Sequence, residues 1–304
     1  MRRLEKSQID KMNTQHKKYA IYTAIVGGYD EIMQPVVVDD RFDYILFSND
    51  IKEDRVGVWQ VRPIAYTNHD NTRICRYVKT HPEELLPGYE ASVWMDSNIQ
   101  ICTSYIYERA YELYEQDVII SSMWHPLRRC IYEEAFTVLH IMVEHEEVVV
   151  RWCHKLRKEG FPRQQGLCET NVMFRKHHTC LTNKINMMWW QYIKKYSRRD
   201  QLSFNYVLWK LGIPCYYMFG EGDNARNTEH LRLVMHQNIR HNHCPIGKNE
   251  AWLMRYCWNQ KDKTKEIEEL YYKLYRYPFP RITFFLAGQW YRLKFLIENH
   301  GKYC

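Results

Sequence analysis

The alternation of apolar strands with amphipathic helices constrains this chain more than any other feature. "YAIYTAIVGGYD" reads as a buried strand ending in Gly27-Gly28, "FDYILFSND" as a second with Asp50 at its carboxyl end, and "VWQVRPI" as a third. "NTRICRYVKTHPEELLP" is helical up to a His81-Pro82 stop, because the residue before a proline is pushed out of the helical region. "ASVWMDSNIQI" is the next strand, "SYIYERAYELYEQ" an amphipathic helix and "DVIISSM" a strand. Such alternation predicts an α/β fold with a mostly parallel sheet. Ligands of such sheets bind at the carboxyl ends of the strands, where Gly27, Asp50 and Asp96 fall.

Farther along, residues 133–160 are helical and mixed in charge, and "GLCETNVMFRKH" is a strand carrying Glu169, Thr170 and Asn171. "NKINMMWWQYIKKY" leads into "SRRDQLSFNYVLWKLG", a helix with Asp200 at its start and Gly212 as its stop. "PCYYM" is a further strand, and the tail after it holds two helical patterns split by Pro278 and Pro280. The 304 residues suffice for one large α/β domain or two smaller ones.

Asp96-Ser97-Asn98 closes a hydrophobic strand, and a carboxylate there needs a partner to offset its desolvation. An Asp or Asn at a strand end can simply hydrogen-bond a turn; a carboxylate and an amide carbonyl also suit a hard cation. Arg73, Arg76 and Lys79 recur at i, i+3 and i+6 on the preceding helix, which puts them roughly on one face. That face is either solvated or able to grip a diphosphate. His236, His241, His243 and Cys244 crowd one loop, without a second compact Cys/His pair for zinc. His125 follows another strand end, as a base, an acceptor contact or a satisfied loop histidine. Asp200 could merely complement its helix dipole.

A net charge of +7 fits a phosphate-bearing ligand or an anionic membrane surface. The basic residues form no stripe, which argues against nucleic acid. The ten cysteines are scattered without a C-x-x-C pair and read as reduced thiols of a cytosolic protein. The polar start has no apolar signal core, and no apolar run reaches the length of a membrane-spanning helix. A cytoplasmic location is expected, with the tail either packed back on the catalytic domain or touching the inner membrane face: "RITFFLAGQWYRLKFLIENHGK" mixes Arg281, Arg292 and Lys294 with Phe284, Phe285, Trp290 and Phe295, as an interfacial helix does.

In their order, "YTAIVGGYD", "RICRYVKTHP", "VWMDSNIQI", "HPLRRCIYEEA", "ETNVMFRKH" and "RDQLSFNYVLWKLG" resemble the glycosyltransferase-like family of bacterial polysaccharide clusters and plant mucilage biosynthesis. The resemblance spans about residues 19–245 and extends distantly to retaining galactosyltransferases of the GT-A type. It implies a GT-A-like, Rossmann-type sheet flanked by helices: a polar leader over 1–18, a catalytic domain over 19–258 and a helical extension over 259–304. It implies a hexosyltransferase that moves a sugar from a nucleotide sugar, UDP-linked, to a glycan or lipid-linked glycan in surface polysaccharide synthesis. Asp96 and Asn98 take the D-x-D positions that hold Mn²⁺ or Mg²⁺, with His243 or His241 as a third ligand. Asp200 and Gln201 match the D-Q pair facing the donor sugar, while Glu169 and His125 stand as acid, base or acceptor contacts. Gly28, Tyr29 and Asp50 would meet the nucleotide, and Arg73, Arg76, Lys79 and Lys248 its phosphates. Asn98 departs from the pattern by replacing the second acid. Two rival readings stay open: a non-catalytic nucleotide- or carbohydrate-binding module, and a metal-dependent phosphohydrolase or nucleotidyltransferase.

Overall fold

A computed structural model describes residues 18–141, 143–237 and 280–298. Lys248, His241, His243 and nearly all of the polar leader lie outside the described residues. Within the span expected as a single domain, the chain forms two compact units. The first is Met1–Pro126, Glu169–Trp190 and Cys215–Asn238; the second is Leu127–Cys168, Gln191–Pro214 and Ile239–Cys304.

The first unit is built on an eight-stranded sheet. In chain order its strands are β1 (Tyr19–Ala24), β2 (Phe42–Phe47), β3 (Arg55–Val56), β4 (Trp59–Arg62), β5 (Ala91–Met95), β7 (Ile120–Trp124), β8 (Cys168–Lys176) and β9 (Tyr216–Tyr217). A separate pair is formed by β6 (Ile99–Ile101) and β10 (Leu231–Leu233). The spatial order of the large sheet is β3-β4-β2-β1-β5-β8-β7-β9. β4, β2, β1 and β5 run parallel, with Tyr22 opposite Ile45 on one side and Trp94 on the other. β1 and β5 are buried along their whole length, as strands covered on both faces must be, and this explains their unbroken apolar runs. β8 reverses direction and pairs antiparallel with β5, Met95 facing Val172.

Between the strands lie α1 (Asn71–Thr80), α2 (Pro82–Leu85) and α3 (Tyr105–Glu115). Asp70 caps α1 by accepting from Thr72 N at 3.0 Å, and the expected proline stop holds. The core of this unit gathers Ile21, Leu46, Val93, Met95, Ile106, Tyr107, Met123 and Phe174.

The second unit is helical where described: α4 (Ile131–His140), α5 (Glu146–Lys158) and α7 (Gln201–Leu211), with the end of α6 (Cys180–Lys195). Its own core holds Tyr132, Val138, Trp152, Leu156, Phe161, Leu202 and Tyr206, and Trp152 Nε1 donates to Leu202 O at 2.8 Å. Gly212 ends α7 at φ 66°, the left-handed cap that glycine supplies without steric cost. The tail contributes α8 (Pro280–Glu298).

No helix among the described residues is long and apolar enough to cross a membrane. Cys168 and Cys215 are disulfide-bonded, which corrects the reading of all ten cysteines as reduced thiols. Spacing along the chain carries no information on which sulfurs fold close together. Cys75, Cys102, Cys130, Cys153 and Cys180 are not disulfide-bonded.

Candidate functional site

The parallel run of β1, β2 and β5 brings three chain segments to one end of the first unit. At the end of β1, Gly27 and Gly28 adopt φ of 73° and 60°. A Cβ on Gly27 would meet Asn71 Nδ2 at 2.1 Å, so α1 abuts this turn closely. Asp50, at the end of β2, accepts the Gly27 and Gly28 amides at 2.5 and 3.2 Å. Its carboxylate therefore shapes the turn that carries Tyr29 and Asp30.

Asp96 follows β5. Its backbone amide donates to Asn171 O at 2.8 Å, which ties the strand end to β8. Oδ1 accepts from Trp94 Nε1 at 2.8 Å and lies 3.8 Å from Lys79 Nζ; Oδ2 makes no hydrogen bond among the described residues. The basic trio on α1 is thus divided. Lys79 is buried to 1% exposure, with its ammonium over the Trp94 ring, whereas Arg73 turns back to Asp70 at 2.8 Å. Arg76 is half-buried.

Asn98 is buried and its Nδ2 donates to Val234 O at 2.7 Å, holding the β6–β10 pair to the strand end. Its Oδ1 is the remaining oxygen that could meet a cation. Asp96 Oδ2 and Asn98 Oδ1 are oxygen donors of the kind a hard cation takes. No group of three or more His, Cys, Asp or Glu among the described residues could hold a metal.

Because β8 is antiparallel to β5, its first residues lie beside Asp96. Glu169 is buried; one carboxylate oxygen pairs with Arg226, and the other is buried without a partner, as is Asn171 Oδ1. Burial pushes the Glu169 carboxyl above the usual range, the nearby Asp96 charge pushes the same way, and Arg226 and Asn171 oppose them. His125, just past β7, is buried.

This shift predicts a pH dependence with a definite sign. The folded state holds the Glu169 proton more tightly than the free side chain does, whose pKa is 4.5. The resulting stabilisation is present below that value and lost as pH rises through the higher folded value. Melting curves of wild type and Glu169→Gln between about pH 4 and 7 should show wild type losing ground steadily as pH rises. A constant difference would show that the group is not held protonated by the fold.

In the second unit, Asp200 is buried at the N-terminus of α7, in helical conformation, and its side chain does not cap the helix. Its position still lets the carboxylate complement the helix dipole. Gln201 Nε2 is buried without a partner.

Residues 3–229 match the family model described as TOD1/MUCI70, glycosyltransferase-like domain. The chain belongs to this family. The TOD1/MUCI70 domain takes in the strand ends with Asp50, Asp96 and Glu169, and it runs past Arg226. No curated protein matches the chain. Among solved structures, the chain is similar to the apo structure of the bifunctional glycosyltransferase WbbM at 10% identity and a TM-score of 0.39. That likeness covers 64% of this chain and 38% of the other, so this chain spans well under two thirds of its length.

Two residues at these strand ends escape sequence reasoning. Asp30 accepts from Ser97 Oγ at 2.8 Å and lies 2.9 Å from His236 Nδ1; an acid three residues beyond Gly27, on a strand-end turn, was its available signal. Arg226 had none, since it reaches Glu169 from a loop of turn residues 57 positions away.

Proposed function

We propose that the protein transfers a hexose from a nucleoside diphosphate sugar, UDP-linked, to a hydroxyl of a glycan or lipid-linked glycan in surface polysaccharide synthesis. The observation carrying this reading is the strand-end group of Asp96, Asn98 and Glu169 in a glycosyltransferase-like domain. Asp96 Oδ2 and Asn98 Oδ1 would hold Mn²⁺ or Mg²⁺ on the donor diphosphate. A bound divalent cation supplies neutralisation of the charge that grows on the leaving group. Glu169, whose carboxyl burial pushes above its usual range, would take the proton of the acceptor hydroxyl. In transfer, the anomeric carbon's bond to the diphosphate oxygen breaks, its bond to the acceptor oxygen forms, and the acceptor's proton leaves. The D-Q resemblance assigns Asp200 and Gln201 to the donor sugar.

Screening nucleotide sugars with MnCl₂ by thermal shift, followed by assay of slow donor hydrolysis without acceptor, tests the reading. A ligand selective for the native state raises its stability. Release of nucleoside diphosphate supports transfer, and release of monophosphate or pyrophosphate would point to hydrolase or nucleotidyltransferase chemistry. The use of the Asn98 amide to hold Val234 favours one second reading, a module that binds nucleotide sugar without turning it over. Saturable binding with no hydrolysis would select it.

A peripheral membrane contact belongs to the same proposal. Along α8, Ile282, Leu286, Trp290, Leu293 and Ile297 are exposed and recur every three or four residues, so they share one face. Arg292 and Lys294 fall to either side of that stripe in the helical register. Full-length protein is expected to float with anionic vesicles and to be released by Trp290→Glu. Equal flotation of the two proteins would remove the contact from the proposal.

A further inference from the structure

His236 is absent from the roles assigned so far, yet its imidazole is held in place at this end of the sheet. Its Nδ1–H donates to Asp30 Oδ2 at 2.9 Å, and its ring packs on Tyr29 with centroids 4.6 Å apart. Asp30 is itself fixed: Ser97 Oγ donates to the same oxygen at 2.8 Å, and the Gln237 amide donates to the other at 3.3 Å. The carboxylate is 3% exposed while the imidazole is 36% exposed. Burial works against the Asp30 charge, but His236 and Ser97 outweigh it and hold the carboxyl below the usual range. A carboxylate behind one ring nitrogen sets the direction of the other, and Nε2 makes no hydrogen bond among the described residues.

The position of this pair argues for its ligand. Asp30 ends the glycine turn after β1, and Ser97 is the middle residue between Asp96 and Asn98. The imidazole is therefore anchored to both segments at which the donor's nucleotide and diphosphate would meet the sheet. We propose that His236 binds the donor diphosphate, its Nε2–H donating to a phosphate oxygen while Asp30 accepts from Nδ1–H. Placed between two anions, the ring would present an N–H to each. Tyr29, expected to meet the nucleotide, packs against this ring.

The inference rests on the nucleotide-sugar reading, and the test separates the two. UDP, GDP, ADP, CDP and uridine are titrated calorimetrically, with MnCl₂ present, into full-length wild type, His236→Asn and His236→Gln. Asn keeps an amide near the Nδ1 position and so the Asp30 contact; Gln places an amide near Nε2. His236→Asn should keep the wild-type melting temperature and lose about tenfold or more in diphosphate affinity, the scale of one hydrogen bond to a charged group. His236→Gln should retain most of that affinity, and uridine binding should be unmoved in both. Independently, ¹⁵N-detected imidazole signals of wild type should show Nε2 gaining a slowly exchanging proton when the diphosphate is added. Equal diphosphate affinity in wild type and His236→Asn, or uridine affinity falling in parallel, overturns the role of His236 and leaves the donor reading standing. Failure of every nucleoside diphosphate to bind wild type overturns both.

Discussion

Asp96→Asn is expected to reduce sugar transfer by about 10²-fold or more, the scale of losing one preorganised electrostatic contact. It should also abolish the Mn²⁺ dependence of nucleoside diphosphate binding. The exchange removes charge but not shape: the new amide oxygen still accepts from Trp94 Nε1, now 2.8 Å from Oδ1, so the strand end keeps its tie. Calorimetry of UDP with and without MnCl₂, beside a donor-hydrolysis assay, reads both effects. Unchanged affinity and turnover would remove Asp96 from the chemistry. Restoring a second acid with Asn98→Asp is the less clean probe. It destroys the donation from Asn98 Nδ2 to Val234 O and sets two acceptors against each other, at a cost of about 1–3 kcal/mol.

Lys79→Ala is expected to have the largest effect on stability. Its side chain is almost wholly buried, with the ammonium 3.8 Å from Asp96 and 5.4 Å from the centre of the Trp94 ring. Truncation leaves a cavity beside β5, and losses of about 2–5 kcal/mol are usual for long buried side chains. Lys79→Met refills most of that volume and should recover much of the loss. Urea denaturation of the three proteins measures this, and an unchanged midpoint for Lys79→Ala would show that the ammonium is not packed under Trp94. The same pair tests function, because Lys79→Met withdraws a cation from Asp96 and should tighten Mn²⁺ binding.

The strand ends were legible because burial leaves an unmistakable mark. β1 and β5 are covered on both faces and so read as unbroken apolar runs, which makes the first polar residue after each run, such as Asp96, conspicuous. Glu169 stood out differently, as an acid ahead of the apolar stretch Val172-Met173-Phe174 in one short strand. What sequence withheld is long-range pairing. Nothing in "GLCETNVMFRKH" says that it returns to pair antiparallel with β5, and that reversal is what places Glu169 and Asn171 beside Asp96. Arg226 and His236 depend on loops that return from far along the chain, where no periodicity guides the eye. The helical register of Arg73, Arg76 and Lys79 was correct, yet it could not tell a solvated face from a buried ammonium. That distinction depends on Trp94, which belongs to the next strand.

The order in which the chain builds its sheet bears on how the protein can be dissected and made. β8 sits between β5 and β7 but is specified only after the excursion through α4 and α5. A fragment ending at residue 126 would contain β5 and β7 without the strand that separates them. Both would present unpaired backbone edges, and β5 is among the most apolar segments of the protein. Such edges template association between chains. During synthesis the same exposure lasts until about fifty more residues have been made. Soluble expression should therefore require the chain through β9, and fragments cut at the first boundary between units should collect as aggregates rather than as a smaller folded domain.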